Sequence, residues 1–242
     1  MRNELTTLYK SKRDILVQEI ERLTKRYERR IRDGVVRAIS EIRSEVDLKR
    51  LADEISSRGI PGAISALSGM EQKLSAVIID DIMGAFVASG RMIVGLNPAG
   101  SIVHDFRLDV LDPQTIAQLK THNATLIREI SDETRRGVVQ NLQSNILAGT
   151  NPRTAARDFR DSIGLTRSQE RAVASYRTAL SQGDPSALHR ALRDARFDSS
   201  VRRAIRTNQP LPPDQVDTLV QRYRERYIKQ RAENIARTEA MR

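Results

Sequence analysis

The chain has 242 residues and a mass of 27.3 kDa; 39% of it is apolar and 4% aromatic, with no Trp and a mean hydropathy of -0.49, which predicts elongated helices around thin cores. Charged residues make up 30%, with 41 Lys plus Arg against 31 Asp plus Glu, and the formal net charge of +10 predicts acidic partners. The lack of Cys excludes a disulfide scaffold, a thiolate zinc site and a cysteine nucleophile, and the three histidines, His104, His122 and His189, lack the paired spacing of a zinc ligand set.

The first residues carry no apolar core of the kind a secretory signal needs. From Leu5 an amphipathic stripe runs through Leu8, Ile15, Ile20, Leu23, Tyr27, Ile31, Val35, Ile39, Ile42 and Val46, mostly three or four apart. It predicts one helix over 1–48, roughly 70 Å long at 1.5 Å per residue, with Gly34 as the place where a bend would be cheap. So long a helix needs a partner, from this chain or another copy, to bury its stripe. The stretch Arg58–Gly62 breaks the pattern and Pro61 is placed to open a second helix, about 61–94, on Leu67, Met70, Leu74, Ile78, Ile82, Phe86 and Ile93. Its apolar window, Ala76–Leu96, is long enough to cross a bilayer. However, Asp80, Asp81 and Arg91 would each cost roughly 2.5 to 3.5 kcal/mol there, so a buried helix of a soluble protein is expected, with Asp80 and Asp81 as solvated charges.

After the breaker at Gly95–Gly100, residues 101–112 read as a connector, whose partial period-two alternation over 101–111 fits a short strand or a loop. Asp112-Pro113 starts a third stripe, Ile116, Leu119, Leu126, Ile130, Val138, Leu142 and Ile146, that stops at Gly149. Short helices follow: one opened by Asn151-Pro152, one by a capping box of Thr166 and Gln169, one by Asp184-Pro185 and one capped by Asp198. Pro212-Pro213 introduces a last long helix on Val216, Val220, Tyr223, Tyr227 and Ile235. The fold class is therefore all-α. Long amphipathic N-terminal helices over 1–100 precede the connector and a compact multi-helix C-terminal domain over 113–242, with at most a short strand near 101–111.

No glycine-rich phosphate loop, Gly-x-Ser-x-Gly elbow or His-Glu-x-x-His motif is present. Neighbours such as Asp80 and Asp81 point too far apart on a helix to act as a dyad, and His189 reads as a surface or anion-side residue. No catalytic residue, cofactor or metal is expected. The basic excess is uneven: +5 over 1–50, -3 over 51–150 and +8 over 151–242, with 34 of the 41 cations being Arg, whose planar fork suits phosphate or carboxylate. Arg190, Arg193, Arg196, Arg202, Arg203 and Arg206 crowd one stretch, and Arg222, Arg226 and Lys229 share a face of the last helix. These nine are the candidate nucleic-acid-binding residues. The alternative is a solvated surface with internal pairs such as Glu225 with Lys229 and Glu233 with Arg237. With no aromatic platform or recognition helix, contact with DNA should be independent of sequence.

The last third carries a resemblance. The runs 149–159 (Gly-Thr-Asn-Pro-Arg-Thr-Ala-Ala-Arg-Asp-Phe), 163–169, 192–198 and 227–242 look like the phage head morphogenesis family, the minor head proteins similar to the F protein of phage Mu. The most recognisable piece is Arg231, Ala232, Glu233, Ile235, Ala236, Arg237, Thr238 and Glu239, and the likeness covers roughly residues 110–242. It implies a non-enzymatic minor component of a tailed-phage virion, inside the head near the portal and in the host cytoplasm during assembly. The partners implied are the portal protein or the major capsid protein and packaged double-stranded DNA, with several copies on a ring and no membrane in the virion. Arg237, Thr238 and Glu239 are expected to make a buried polar contact, Thr238 tying the Arg-Glu pair to a neighbouring helix. Chains of the family run on past this motif, so the resemblance implies either a short member or, preferably, a longer parent chain. Two rivals stand beside this reading. One is a DNA-ejection protein forming part of a conduit into the host. The other is a hydrolase, disfavoured by the missing motifs.

Overall fold

A computed structural model describes residues 2–95 and 112–241, and among these every regular element is helical, as expected of an all-α chain. The elements are α1 (Arg2–Ser44), α2 (Leu48–Ser65), α3 (Met70–Gly95), α4 (Pro113–Leu147), α5 (Pro152–Ser162), α6 (Arg167–Gln182), two 3-10 turns (Pro185–His189 and Ala195–Phe197), α7 (Asp198–Thr207) and α8 (Pro213–Ala240). His104, most of the expected connector and its short strand near 101–111 lie outside the described residues.

The boundaries follow local chemistry. The expected 1–48 helix stops at Ser44, because Asp47 accepts from the backbone N–H groups of Lys49 and Arg50 and starts α2 there; α1 passes Gly34 without a break. The expected 61–94 helix is two. Gly59, at φ 59° and ψ -138°, kinks α2, the turns beyond it include Pro61, and α3 begins separately at Met70. Asp112 caps α4 through the N–H of Thr115 at 2.8 Å, Asn151 caps α5, and Thr166 with Gln169 forms both halves of the capping box of α6. Asp198 differs from expectation. It is the first residue of α7, behind an uncapped Phe197, and its carboxylate is held by Arg193 instead.

The described residues cluster into two units, neither of which is the 1–100 or the 113–242 segment. One draws on Met1–Val35, Ser75–Leu126 and Ala232–Arg242, and the other on Val36–Leu74 and Ile127–Arg231. Long helices produce this interleaving, since α1, α3, α4 and α8 each give one stretch to each unit.

In the first unit Tyr27, Ile31 and Val35 of α1, Ile78, Ile82 and Ala85 of α3, and Ala232 and Ala236 of α8 are buried. Asp81 is buried with them, contrary to its expected solvation, because Arg30 donates to its Oδ1 from Nε at 2.9 Å and from Nη2 at 2.7 Å. Asp80 is exposed as expected. No helix among the described residues is long and apolar enough to cross a membrane.

The second unit is organised around the turn between α5 and α6. Phe159, Ile163 and Leu165 are fully buried, and Gly164, at φ 93°, lies against Ile39 of α1. On the α4 side Gly137 lets that helix approach so closely that a Cβ there would fall on the Leu165 carbonyl oxygen. A buried turn must still satisfy its carbonyls, and two arginines do this. Arg43 donates to Asp161 O and, at 3.0 Å, to Ile163 O, while Arg231 donates to Gly164 O at 2.9 Å.

Candidate nucleic-acid interface

The structure sorts the nine candidate cations into two groups. Asp194 is the centre of the first, its side chain only 1% exposed. Arg196 binds it through Nε at 2.9 Å and Nη2 at 2.7 Å, Arg222 through Nη1 at 2.8 Å, and Arg226 through Nη2 at 3.2 Å. Arg222 also lies over the Phe197 ring, 4.9 Å from its centroid, and Arg226 donates to the carbonyls of Leu192 and Arg193. Beside this cluster Arg193 grips Asp198 with two hydrogen bonds, at 3.0 and 2.9 Å. The guanidinium donors, Arg196 first and then Arg222, hold the Asp194 carboxyl well below the usual carboxylate range, and Arg193 depresses Asp198 in the same direction. These arginines therefore join the 3-10 turns, α7 and α8. Asp194 and Asp198 were not singled out as sites in the sequence, although both stand inside the arginine-rich run 193–198.

The groove beside Asp194, about 850 Å³, sets Arg196, Arg222, Arg226 and Lys229 against Asp194, Asp217 and Glu225. Its charges nearly balance, so it presents no strong field to a polyanion.

The second group faces outward. Arg203 and Arg206 are exposed and have no ion pair among the described residues, and Arg202 is 67% exposed with one longer contact, 3.5 Å to Asp198. They share the outer face of α7 with Ser199 and Thr207, while Val201 and Ala204 face inward. No carboxylate stands on that outer face. Lys229 is also exposed, whereas Arg190 is half-buried and donates to Ser175 Oγ at 2.7 Å. His189 is exposed.

The residues of the family-like run divide likewise. Arg231 is buried, and besides Gly164 O it reaches Thr134 Oγ1 at 3.1 Å, Ile130 O at 3.1 Å and Glu133 at 2.8 Å; burial lowers its pKa. Ala232 and Ala236 are fully buried, Glu233 and Ile235 half-buried. Glu239 is buried and its Oε2 lies 2.7 Å from His122 Nε2 on α4. Arg237 and Thr238 depart from expectation. Both are exposed, Arg237 reaching Glu28 at 3.7 Å and Thr238 donating to Asn234 O one turn back. The buried polar contacts come instead from Arg231 and Glu239, because only these two positions of the run turn their charged side chains inward.

A further set of charges, unmarked in the sequence reading, lies in the second unit. Glu170, 3% exposed, accepts from Asn141 Nδ2 at 3.2 Å, and burial raises its pKa to about 6. Arg43 is lowered to about 10, again chiefly by burial, and Arg224 reaches Asp158 at 3.3 Å. Among the described residues no group of three or more His, Asp or Glu is placed to hold a metal ion. Comparison of the chain with protein-family models, with curated proteins and with solved structures finds no match.

Proposed function

We propose that this chain is a minor structural protein of a tailed-phage virion, sited inside the head near the portal, that touches packaged double-stranded DNA without reading its sequence. The placement in a virion rests on the resemblance of Arg231–Glu239 and the three preceding runs to phage head morphogenesis proteins. The observation that carries the DNA contact is the outer face of α7, where Arg202, Arg203 and Arg206 stand with hydroxyl side chains and no acid among them. The guanidinium forks of Arg203 and Arg206, unpaired among the described residues, with Arg202 beside them, fit phosphate oxygens, and each phosphate neutralised releases a counterion. The Asp194-bound arginines are already paired and act in folding. Portal or capsid surfaces are the protein partners of this reading, and repeated copies on a ring would multiply weak single contacts.

A salt titration with random-sequence duplex DNA tests it. Replacing Arg203 and Arg206 with Ala should reduce the slope of log affinity against log salt by roughly 2, at about 0.9 per lost phosphate contact, and leave the melting temperature unchanged. Arg222→Ala should do the reverse, lowering the melting temperature and sparing the slope. A wild-type chain that fails to bind DNA even at low salt refutes the contact.

A further inference from the structure

Helix α6 turns a face of one charge sign to solvent. Residues 167, 171, 174, 175 and 178 recur three or four apart and are all exposed, while Val173, Tyr176, Ala179 and Leu180 point into the second unit. Arg167, Arg171, Ser175 and Thr178 stand along the exposed face, with Ala174 between them. The one acid of the helix, Glu170, is turned inward and buried. At the flank Arg177 and Asp217 neutralise each other at 2.5 Å.

Neighbouring elements add to this charge at the N-terminal end. Arg167 donates through Nε to Gln140 Oε1 of α4 at 3.0 Å, which ties that end of α6 to α4. One turn before Gln140 stands Arg136, exposed like Arg171, and neither of these two has an ion pair among the described residues. The acids closest to Arg136 along α4 are engaged elsewhere, Asp132 with Arg135 at 3.3 Å and Glu133 with Arg231 at 2.8 Å. The positive end of the α6 dipole lies at the same place. Toward the other end Arg190 donates to Ser175 and lies near Asp184, so the excess is concentrated in the first two turns of α6.

Three guanidinium groups with no free acid among them complement a row of phosphates better than they complement a protein surface, which carries charges of both signs. We propose that Arg136, Arg167 and Arg171, at the seam of α4 and α6, are a second contact for the phosphates of duplex DNA, separate from that of α7. This contact rests on the reading of the chain as a DNA-binding protein and extends it to residues outside the arginine-rich run.

Salt titration of the whole chain with random-sequence duplex DNA tests it. Arg136→Ala with Arg171→Ala should reduce the slope of log affinity against log salt by roughly 2, at about 0.9 per lost phosphate contact, and leave the melting temperature unchanged, since neither side chain gives up a partner. Arg136→Lys with Arg171→Lys should keep the slope, because an ammonium displaces the same counterion. Combined with Arg203→Ala and Arg206→Ala the loss should reach roughly 4, the two contacts being independent. A wild-type chain that binds DNA with a slope insensitive to Arg136→Ala and Arg171→Ala overturns this second contact and leaves that of α7 standing. A wild-type chain that does not bind even at low salt overturns the DNA reading itself, and this contact with it.

Discussion

Arg231 keeps its charge inside the protein and serves acceptors from two different elements. Its four partners, Ile130 O, Glu133 and Thr134 on α4 and Gly164 O in the buried turn, would lose a shared donor together if the side chain were shortened. Arg231→Met should therefore cost about 2–4 kcal/mol, read from the urea midpoint, since buried carbonyls are left unpaired. Arg231→Lys should recover only part of this, because an ammonium cannot span the same fork of acceptors. The arginine-rich character of the last third was legible from composition, but the partners of these arginines were not. Asp194 lies 28 residues from Arg222, and Arg231 nearly a hundred from Thr134, so which cation is internal depends on how the chain returns on itself. Local pairings were legible for the opposite reason. Asn151, Thr166 with Gln169, and Asp184 each satisfy a backbone N–H two or three residues away.

Among the elements, the packing of α4 against the α5–α6 turn depends on one missing methyl group. Alanine is a better helix former than glycine by about 1 kcal/mol, so Gly→Ala inside a helix ordinarily stabilises. Gly34→Ala should follow that rule, since its Cβ would meet neighbours only at ordinary contact distances, 3.4 Å and beyond. Gly137→Ala should do the reverse and cost about 1–3 kcal/mol, because the new carbon overlaps a backbone carbonyl that cannot rotate away. Opposite shifts of the denaturant midpoint in the two variants would verify this, and equal shifts would count against the close approach. The long stripes of α1, α3 and α4 were readable from periodicity, but their division was not. A stripe shows that a face is covered without showing by what, so one helix can serve two units.

For the whole molecule, stability should depend on pH through groups that act in opposite directions. Glu170 has a native pKa near 6 against an ordinary value of 4.5. The protonated form therefore favours the native state: its contribution is fully present below about pH 4.5 and is lost as pH rises through 6. Asp194 and Asp198 are depressed, so their contribution is present above the ordinary carboxylate range and is lost on strong acidification. The melting temperature should thus rise as pH is lowered from 7 toward 5, then fall in stronger acid. Glu170→Gln should flatten the first limb and leave the second, as followed by calorimetry at fixed ionic strength; an unchanged first limb would assign it to other groups.

The brevity of α7 has a mechanical consequence. Its ten residues extend about 15 Å at 1.5 Å per residue, less than half of the ~34 Å that the duplex needs for one turn. As the DNA contact proposed above, so short a helix would meet a local cluster of phosphates and could not follow a groove around the duplex, so it would have no lever arm with which to sense twist or curvature. If α7 makes that contact, a tightly coiled duplex and a straight one present it with nearly the same surface, and the helix would hold DNA without dictating the path along which that DNA is wound.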